Sequence, residues 1–190
     1  MKRKALVLGF LVALATLVQG CFPLAVTGMG AAALMASDRR TTGMYIEDES
    51  IEWRVVARMR GQYSGLHVNA TSFNRRVLLT GEAPNEDTRA KIEASVRGLE
   101  NVREVTNEIQ IAGVSSLASR GNDALVTSNV KARMVNNGRF SPNHVKVVTE
   151  QGVVYLMGMV TQAEGDAAVE IARNASGVGR VVKVFEYVTP

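Results

Sequence analysis

The spacing of apolar residues predicts a helix followed by a β-hairpin at the start of the folded region. Between residues 51 and 59 the large apolar side chains recur at every fourth position, which places them on one face of a helix. Segments 67–73 and 76–82 then alternate or run apolar on either side of Asn74-Arg75. Alternation about a two-residue polar turn is typical of two antiparallel strands.

A second helix and a last strand complete this unit. Residues 84–87 carry a proline and acidic side chains typical of a helix start, Gly98 marks the helix end, and segment 103–111 is again strand-like. Strands joined through a helix pair in parallel with a right-handed crossover, so the order predicts a three-stranded mixed sheet. Both helices are expected on one face of this sheet, in an αββαβ unit.

The same pattern occurs twice along the chain. Residues 48–59 match residues 123–134 at an offset of 75, and residues 77–81 match residues 154–158 at an offset of 77. The second copy has its own signals: the turn Gln151-Gly152, the capping box Thr161-x-x-Glu164, the helix-ending Gly177 and the strand-like segment 180–188. A repeat of this length indicates two copies of one small domain.

The repeat also sets the domain boundaries. The copies occupy residues 47–112 and 121–190, and residues 113–120 form the linker between them. The predicted fold class is α+β, with two αββαβ domains in tandem.

The first residues predict a cleaved lipoprotein signal. Basic residues at positions 2–4 precede an apolar run at positions 5–18, which at about 1.5 Å per residue is too short for a hydrocarbon core of about 30 Å. The sequence Val18-Gln19-Gly20-Cys21 then resembles a bacterial lipobox. We therefore expect a signal peptide at residues 1–20, an acylated Cys21 and a flexible tether over residues 21–46. An ordinary signal peptide with an incidental cysteine is the alternative.

The cysteine count and the net charge limit the classes of protein to which the chain can belong. Cys21 is the only cysteine, so the sequence predicts no disulfide and no thiolate metal site. Without the basic residues at positions 2–4, 19 basic residues stand against 18 acidic ones. The strongly basic footprint of a nucleic-acid-binding protein is absent from this composition.

At this point the chain resembles a known family. Two such repeats, each with a Val-Leu/Tyr-Leu-x-Gly strand end at residues 77–81 or 154–158, are similar to BON domains. Together with the lipobox and the tether they resemble the tandem BON-domain outer-membrane lipoproteins of the DolP/YraP type, over nearly the whole mature chain. The resemblance implies a periplasm-facing protein, anchored in the outer membrane, that binds anionic phospholipid, associates with division sites and supports envelope integrity.

The residues offer no convincing catalytic centre. His67 and His144 occupy equivalent positions, and a shared strand-entry residue is favoured over paired metal ligands because no carboxylate lies at metal-ligand spacing. The acidic segments 47–49 and 86–87 are interpreted as helix starts, where the helix dipole stabilises them. We expect no enzyme activity, no catalytic residue, no metal, no cofactor and no small-molecule substrate.

The opening helix of the second copy has an outward face suited to a membrane. Opposite its core positions lie apolar and small residues flanked by cations, which together with one loop cation form the predicted lipid-binding set: Leu125, Ser128, Lys131, Ala132, Arg133, Val135 and Arg139. Phe140 is a candidate for a further contact. Apolar side chains between cations favour an anionic headgroup interface. The charge of the second copy, with 8 basic and 6 acidic residues over 120–190, agrees with this interpretation.

Two alternatives stay open at this point. Leu125 and Val135 would also be explained by packing against the first copy or the linker. Trp53 points outward on the opening helix of the first copy, among acidic residues that repel anionic lipid. We expect Trp53 to be buried between the domains or to contact a protein. A scaffold that docks an outer-membrane assembly or cell-wall remodelling machine, through Trp53 or the sheet edges, is therefore the rival function.

Overall fold

The computed structural model describes residues 38–189. The predicted signal peptide, Cys21 and most of the predicted tether lie outside these residues. None of the helices within 38–189 combines the length and the apolar character needed to cross a bilayer.

The first domain has the predicted element order. Its elements are α1 (Thr42–Gln62), β1 (Val68–Phe73), β2 (Arg76–Ala83), α2 (Glu86–Arg97), β3 (Glu104–Asn107) and a short β4 (Gln110–Ile111). Strand β1 is antiparallel to β2, and β3 and β4 are both parallel to β2.

The second domain repeats this order with an unbroken last strand. Its elements are α3 (Leu117–Val135), a 3₁₀ turn (Pro142–His144), β5 (Val145–Glu150), β6 (Val153–Val160), α4 (Gln162–Arg173) and β7 (Arg180–Tyr187). The sheet order is β5-β6-β7, with β5 antiparallel and β7 parallel to β6. The predicted α+β class and the mixed sheets are confirmed.

The last strand of the first domain is interrupted, whereas segment 103–111 was expected to be continuous. The Asn107 side chain accepts a hydrogen bond from the Ile109 backbone N–H at 3.1 Å, which turns the chain locally. Glu108 still donates its backbone N–H to Leu79 at 2.9 Å, and Ile109 is buried in the core. The interruption therefore splits the strand into β3 and β4 without detaching it from β2.

Asp48 does not lie at a helix start, which corrects the interpretation of segment 47–49. Helix α1 begins at Thr42, and the buried Asp48 carboxylate instead accepts hydrogen bonds from the backbone N–H groups of Asn74 and Arg75 in the β1–β2 turn. Asp123 of α3 accepts from Gln151 and Gly152 in the β5–β6 turn in the same way. The repeated aspartate thus fastens each hairpin turn to the opening helix.

The other helix-start signals are confirmed, with one exception at a helix end. Asn85 caps α2, whose first turn contains Glu86 and Asp87, and Thr161 with Glu164 forms the capping box of α4. Gly98 caps the end of α2, but α4 ends at Asn174 and not at Gly177.

Each sheet packs its helices on one face. In the first domain Ile51 and Val55 of α1 pack with Val77 and Leu79 of β2. In the second domain the equivalent cluster joins α3 and α4 to β6. The helices of each domain therefore cover one face of its sheet, as predicted.

The opposite faces of the two sheets pack against each other. Alternate residues of the strands point away from the helices and form one buried cluster across the domains: Phe73, Leu78, Tyr155, Met157 and Val184. At its rim Arg76 Nη1 donates to the Phe185 carbonyl oxygen at 2.9 Å, and Asn74 donates to Glu186 at 2.8 Å. Burial raises the pKa of Tyr155 to about 12. The two domains are thus joined through their sheets, which leaves the helices on the outside.

The folded domains include residues that the sequence assigned to the tether and to the linker. Before α1, Arg39 pairs with Glu164 of the second domain at 2.6 Å, and Arg40 pairs with Asp48 of the first at 2.9 Å. Residues 39–46, assigned to the predicted tether, therefore belong to the folded unit. The linker ends at Ser116, which caps α3, because α3 begins at Leu117 inside the predicted linker 113–120.

Candidate membrane-binding face

The outward face of α3 is open to solvent in the two-domain unit. Every residue of the predicted lipid-binding set is exposed: Leu125, Ser128, Lys131, Ala132, Arg133, Val135 and Arg139. Asp123, Val126, Val130 and Met134 are the buried residues of the same helix. We call this exposed set, apart from Arg139, the α3 outer face.

The apolar residues on the α3 outer face do not serve the domain interface. Leu125 is 67% exposed and Val135 is 66% exposed, so neither packs against the first domain or the linker within residues 38–189. That alternative from the sequence is wrong because the sheets supply the contact between the domains. Within residues 38–189 these two large aliphatic side chains on one helix surface therefore have no packing role.

A groove of about 460 Å³ runs along one side of this face, between α3 and α4. Its lining is mostly amide and charged side chains: Asn129, Ala132, Arg133, Asn136, Asn137, Arg139, Glu170, Ile171 and Asn174. The groove combines residues more than 30 positions apart, so the periodicity of α3 alone did not reveal it. Amide and guanidinium donors in such a groove suit an anionic group.

The charges around the face are not equivalent. Among the described residues, Lys131 and Arg133 form no ion pair, whereas Arg139 pairs with Glu170 in the groove at 2.7 Å. Phe140, expected near the same contact, is instead buried in the core of the second domain. The free cations of the face are therefore Lys131 on one flank and Arg133 on the other.

The equivalent outward face of α1 combines apolar side chains with acidic residues in place of cations. Trp53 is 67% exposed, which excludes its burial between the domains and leaves the protein contact as its remaining interpretation. Ile46, seven residues earlier on the same helical face, is also exposed. Glu49 lies exposed beside them, and Glu52 is held by Lys146 of the second domain at 2.8 Å.

His67 has neighbours that the sequence did not indicate. Its Nδ1 lies 3.0 Å from Glu82 Oε2 and 3.3 Å from Ser115 Oγ. Both partners contact the same ring nitrogen, whereas a catalytic triad needs the serine on one nitrogen of the imidazole and the carboxylate on the other. His144, the equivalent residue, lies 3.3 Å from Glu164. Neither arrangement provides an activated nucleophile.

Two segments of the chain match a known domain family. The BON domain model matches residues 47–113 and 122–189. The chain is 40% identical to the outer membrane lipoprotein DolP of Haemophilus influenzae, over 98% of this chain and 96% of that protein. It is 33% identical to a 21 kDa hemolysin of Actinobacillus pleuropneumoniae, over 80% of this chain and 79% of that protein.

Solved structures add little. The type III secretion protein CdsD of Chlamydia trachomatis aligns over 72% of this chain and 91% of its own, with a TM-score of 0.30 and 12% identity. That likeness is too weak to bear on fold or function. The two family matches and the relative that spans almost the full length carry the assignment: the chain belongs to the tandem BON-domain lipoproteins of the outer membrane.

Proposed function

We propose that this outer-membrane lipoprotein binds anionic phospholipid through the α3 outer face and so supports envelope integrity, acting at division sites. The observation that carries the proposal is the exposure of Leu125 and Val135 between Lys131 and Arg133. Aliphatic side chains at a headgroup boundary enter the acyl region, while each nearby cation gains about 1 kcal/mol from an anionic surface.

In this proposal the lipid anchor and the α3 outer face have separate roles. An acylated Cys21 would hold the domains near the bilayer, and the α3 outer face then needs only modest affinity to stay in contact. The α3–α4 groove beside this face offers Arg133 and amide donors to a headgroup phosphate. Glu170 opposes an anion there because it occupies Arg139.

Vesicle binding by a fragment without the lipid anchor tests this proposal. Residues 37–190 form one compact unit, so this fragment is mixed with vesicles of anionic or zwitterionic phospholipid and sedimented. We expect binding that requires anionic lipid and weakens with salt. Lys131→Glu with Arg133→Glu should weaken binding at least tenfold, since about 2 kcal/mol of attraction is removed. Leu125→Glu should also weaken it at least tenfold, because it replaces an aliphatic contact with a charge that anionic lipid repels. Glu170→Gln should strengthen it.

A matched control lies on the first domain. Arg60, near the end of α1, is exposed at the position equivalent to Val135, so Arg60→Glu makes a comparable charge reversal away from the proposed face. Vesicle binding should not change in this variant. Equal binding by Leu125→Glu and the parent, or equal loss in Arg60→Glu, would refute the α3 outer face as the lipid site.

A protein-docking role is the second candidate, favoured by Trp53 and Ile46 on α1. An exposed tryptophan on a helix with acidic neighbours suits a partner that offers an apolar surface with cations around it. A photo-crosslinking residue at position 53 in intact cells should capture a protein, while the same residue at the exposed Glu100 should not. Crosslinks only to lipid at position 53 would count against this role.

A further inference from the structure

One buried cluster of ionisable residues takes no part in the proposed lipid site. His67 of the first domain, Glu82 at the end of β2 and Glu150 at the end of β5 meet at the rim of the sheet–sheet interface. Their nearest ligand atoms all lie within 4.8 Å of one another. Within residues 38–189 no other group of three or more histidine, cysteine and carboxylate side chains comes this close.

The carboxylates of the cluster are almost removed from water. The Glu82 side chain is 0% exposed and the Glu150 side chain 7%. The Glu150 carboxylate accepts one hydrogen bond from residues 38–189, from Asn69 Nδ2 to Oε2 at 3.1 Å. Its Oε1 lies 3.8 Å from His67 Nδ1, beyond hydrogen-bonding distance. This oxygen therefore points into the cluster without a donor from these residues.

The surrounding charges leave the cluster negative. Asp123 is a third buried carboxylate close enough to act on Glu150, and the guanidinium of Arg120 approaches through Ser115, whose Oγ accepts from Nε at 3.2 Å. Three buried carboxylates therefore lie in this part of the interface, and among residues 38–189 Glu150 accepts the fewest hydrogen bonds of the three. Buried carboxylates in excess over cations are costly unless a proton or a metal ion joins them.

The repeat provides an internal comparison. At the offset of 77 that relates the hairpins, the second domain has His144 for His67 and Met159 for Glu82, and the first domain has Phe73 for Glu150. Apolar side chains thus stand at the positions equivalent to the two glutamates, with Phe73 in the sheet–sheet core. The apolar sheet–sheet cluster contains no acidic residue, whereas Glu82 and Glu150 accept hydrogen bonds across the domains from Gln151 and Asn69.

We infer that His67, Glu82 and Glu150 bind a divalent transition-metal cation that bridges the two domains, with Zn²⁺ as the representative ion. Nitrogen and carboxylate ligands around such an ion at about 2.0–2.2 Å lie about 3.4 Å apart in a tetrahedral site. The Nδ1 to Oε distances of 3.0 and 3.8 Å fall on either side of that value. Ser115 Oγ, 3.3 Å from Nδ1, or a water would supply the fourth ligand.

Binding requires one local rearrangement. In the structure His67 Nδ1 faces Glu82, and Nε2 lies 3.1 Å from the Asn69 amide nitrogen. With the cation on Nδ1, the ring carries its proton on Nε2. A half-turn of the Asn69 carboxamide then lets Oδ1 accept a hydrogen bond from Nε2, an outer-shell bond of the kind that orients metal-bound histidines. The half-turn also removes the hydrogen bond from Asn69 Nδ2 to Glu150 Oε2, so the cation would become the partner of the Glu150 carboxylate.

Calorimetric titration of the whole protein with ZnCl₂ tests the site. Tag-free protein extracted from membranes in detergent and stripped with EDTA should take up one Zn²⁺ per chain. Glu82→Gln and His67→Asn should each weaken uptake at least tenfold, since each removes a ligand. His144→Asn, at the position that matches His67 in the repeat, should leave the affinity unchanged.

A second measurement covers the case in which a variant does not fold. In the parent protein, Zn²⁺ should shift the NMR resonances of the His67 ring and leave those of the His144 ring in place. The inference is overturned by the absence of saturable uptake in the parent, by unchanged affinity in folded Glu82→Gln and His67→Asn, or by a shift at His144 in place of His67.

Discussion

Equivalent residues in the two domains acquire different roles through contacts distant in sequence. Asp48 and Asp123 match in the repeat and in function, since each holds a hairpin turn against its opening helix. His67 and His144 match in the repeat but differ in neighbours, because Glu82 stands where the second domain has Met159. A sequence repeat therefore predicts shared structure more securely than shared chemistry.

Glu164 is expected to give the molecule stability that depends on pH. Burial by itself would raise the pKa of Glu164, but hydrogen bonds from Arg39 and Thr161 outweigh it and lower the pKa to about 2. A carboxyl group with a lower pKa in the folded state stabilises the fold above its unfolded pKa of about 4.3, and that contribution is lost as the pH falls toward 2. The shift corresponds to about 3 kcal/mol.

Urea unfolding of the parent and of Glu164→Gln over a pH series measures this contribution. At about pH 6 the parent should be more stable by about 3 kcal/mol, and the difference should shrink as the pH falls from about 4.3 to 2. Glu170→Gln, which alters an exposed carboxylate on the same helix, should show no such trend. A constant difference between parent and Glu164→Gln at all pH values would contradict the assignment.

At the scale of elements, replacing a glycine by alanine should have opposite effects on stability in α3 and in β6. Gly158 has a φ of +158°, and a Cβ there would lie 2.1 Å from the His144 carbonyl oxygen. A Cβ added at Gly121 in α3 would have no such neighbour within 4 Å. Gly158→Ala should therefore cost more than about 3 kcal/mol through strain and displaced backbone, whereas Gly121→Ala should stabilise by about 0.5–1 kcal/mol.

Thermal unfolding of the two glycine variants checks this contrast. The melting temperature should rise slightly in Gly121→Ala and fall by 10 °C or more in Gly158→Ala, at roughly 4 °C per kcal/mol for a chain of this size. Gly81→Ala, the equivalent of Gly158 in the first domain, should behave like Gly158→Ala, because its Cβ would lie 2.0 Å from the His67 carbonyl oxygen. A stable Gly158→Ala would show that the hairpin accommodates the methyl group.

The periodicity of apolar residues was sufficient to predict the elements and their order, because each helix and strand buries one side chain face. It could not locate the interruption at Asn107 or the start of α1 at Thr42, since these depend on single hydrogen bonds and caps. It predicted the exposure pattern of α3, but the α3–α4 groove and the His67 cluster combine distant segments. Those features require the assembled fold.

At the scale of the whole molecule, the sheets decide which surfaces remain available. Because Leu78 and Tyr155 join the domains through their strands, both opening helices stay on the outside. The α3 outer face and the Trp53 face of α1 are therefore free for separate partners. Arg39 and Arg40 fasten the segment before α1 to both domains.

This architecture predicts that the two domains unfold together. A separated domain would expose its half of the apolar cluster around Leu78 and Tyr155 to water, which makes a half-unfolded state unfavourable. Trp53 is the only tryptophan, so its fluorescence anisotropy reports on α1 alone, while far-ultraviolet circular dichroism reports on both domains. In the parent, the two signals should change at the same guanidinium concentration.

Leu78→Glu should separate the two signals, because a charge in the sheet–sheet cluster opposes docking of the domains. Leu125→Glu makes the same chemical change at an exposed position and should keep the two curves superimposed. Different midpoints in the parent would show that the interface contributes too little to couple the domains. The α3 outer face would then belong to a domain that moves independently of the first, and the metal-bridging role of His67, Glu82 and Glu150 would have to come from the ion alone.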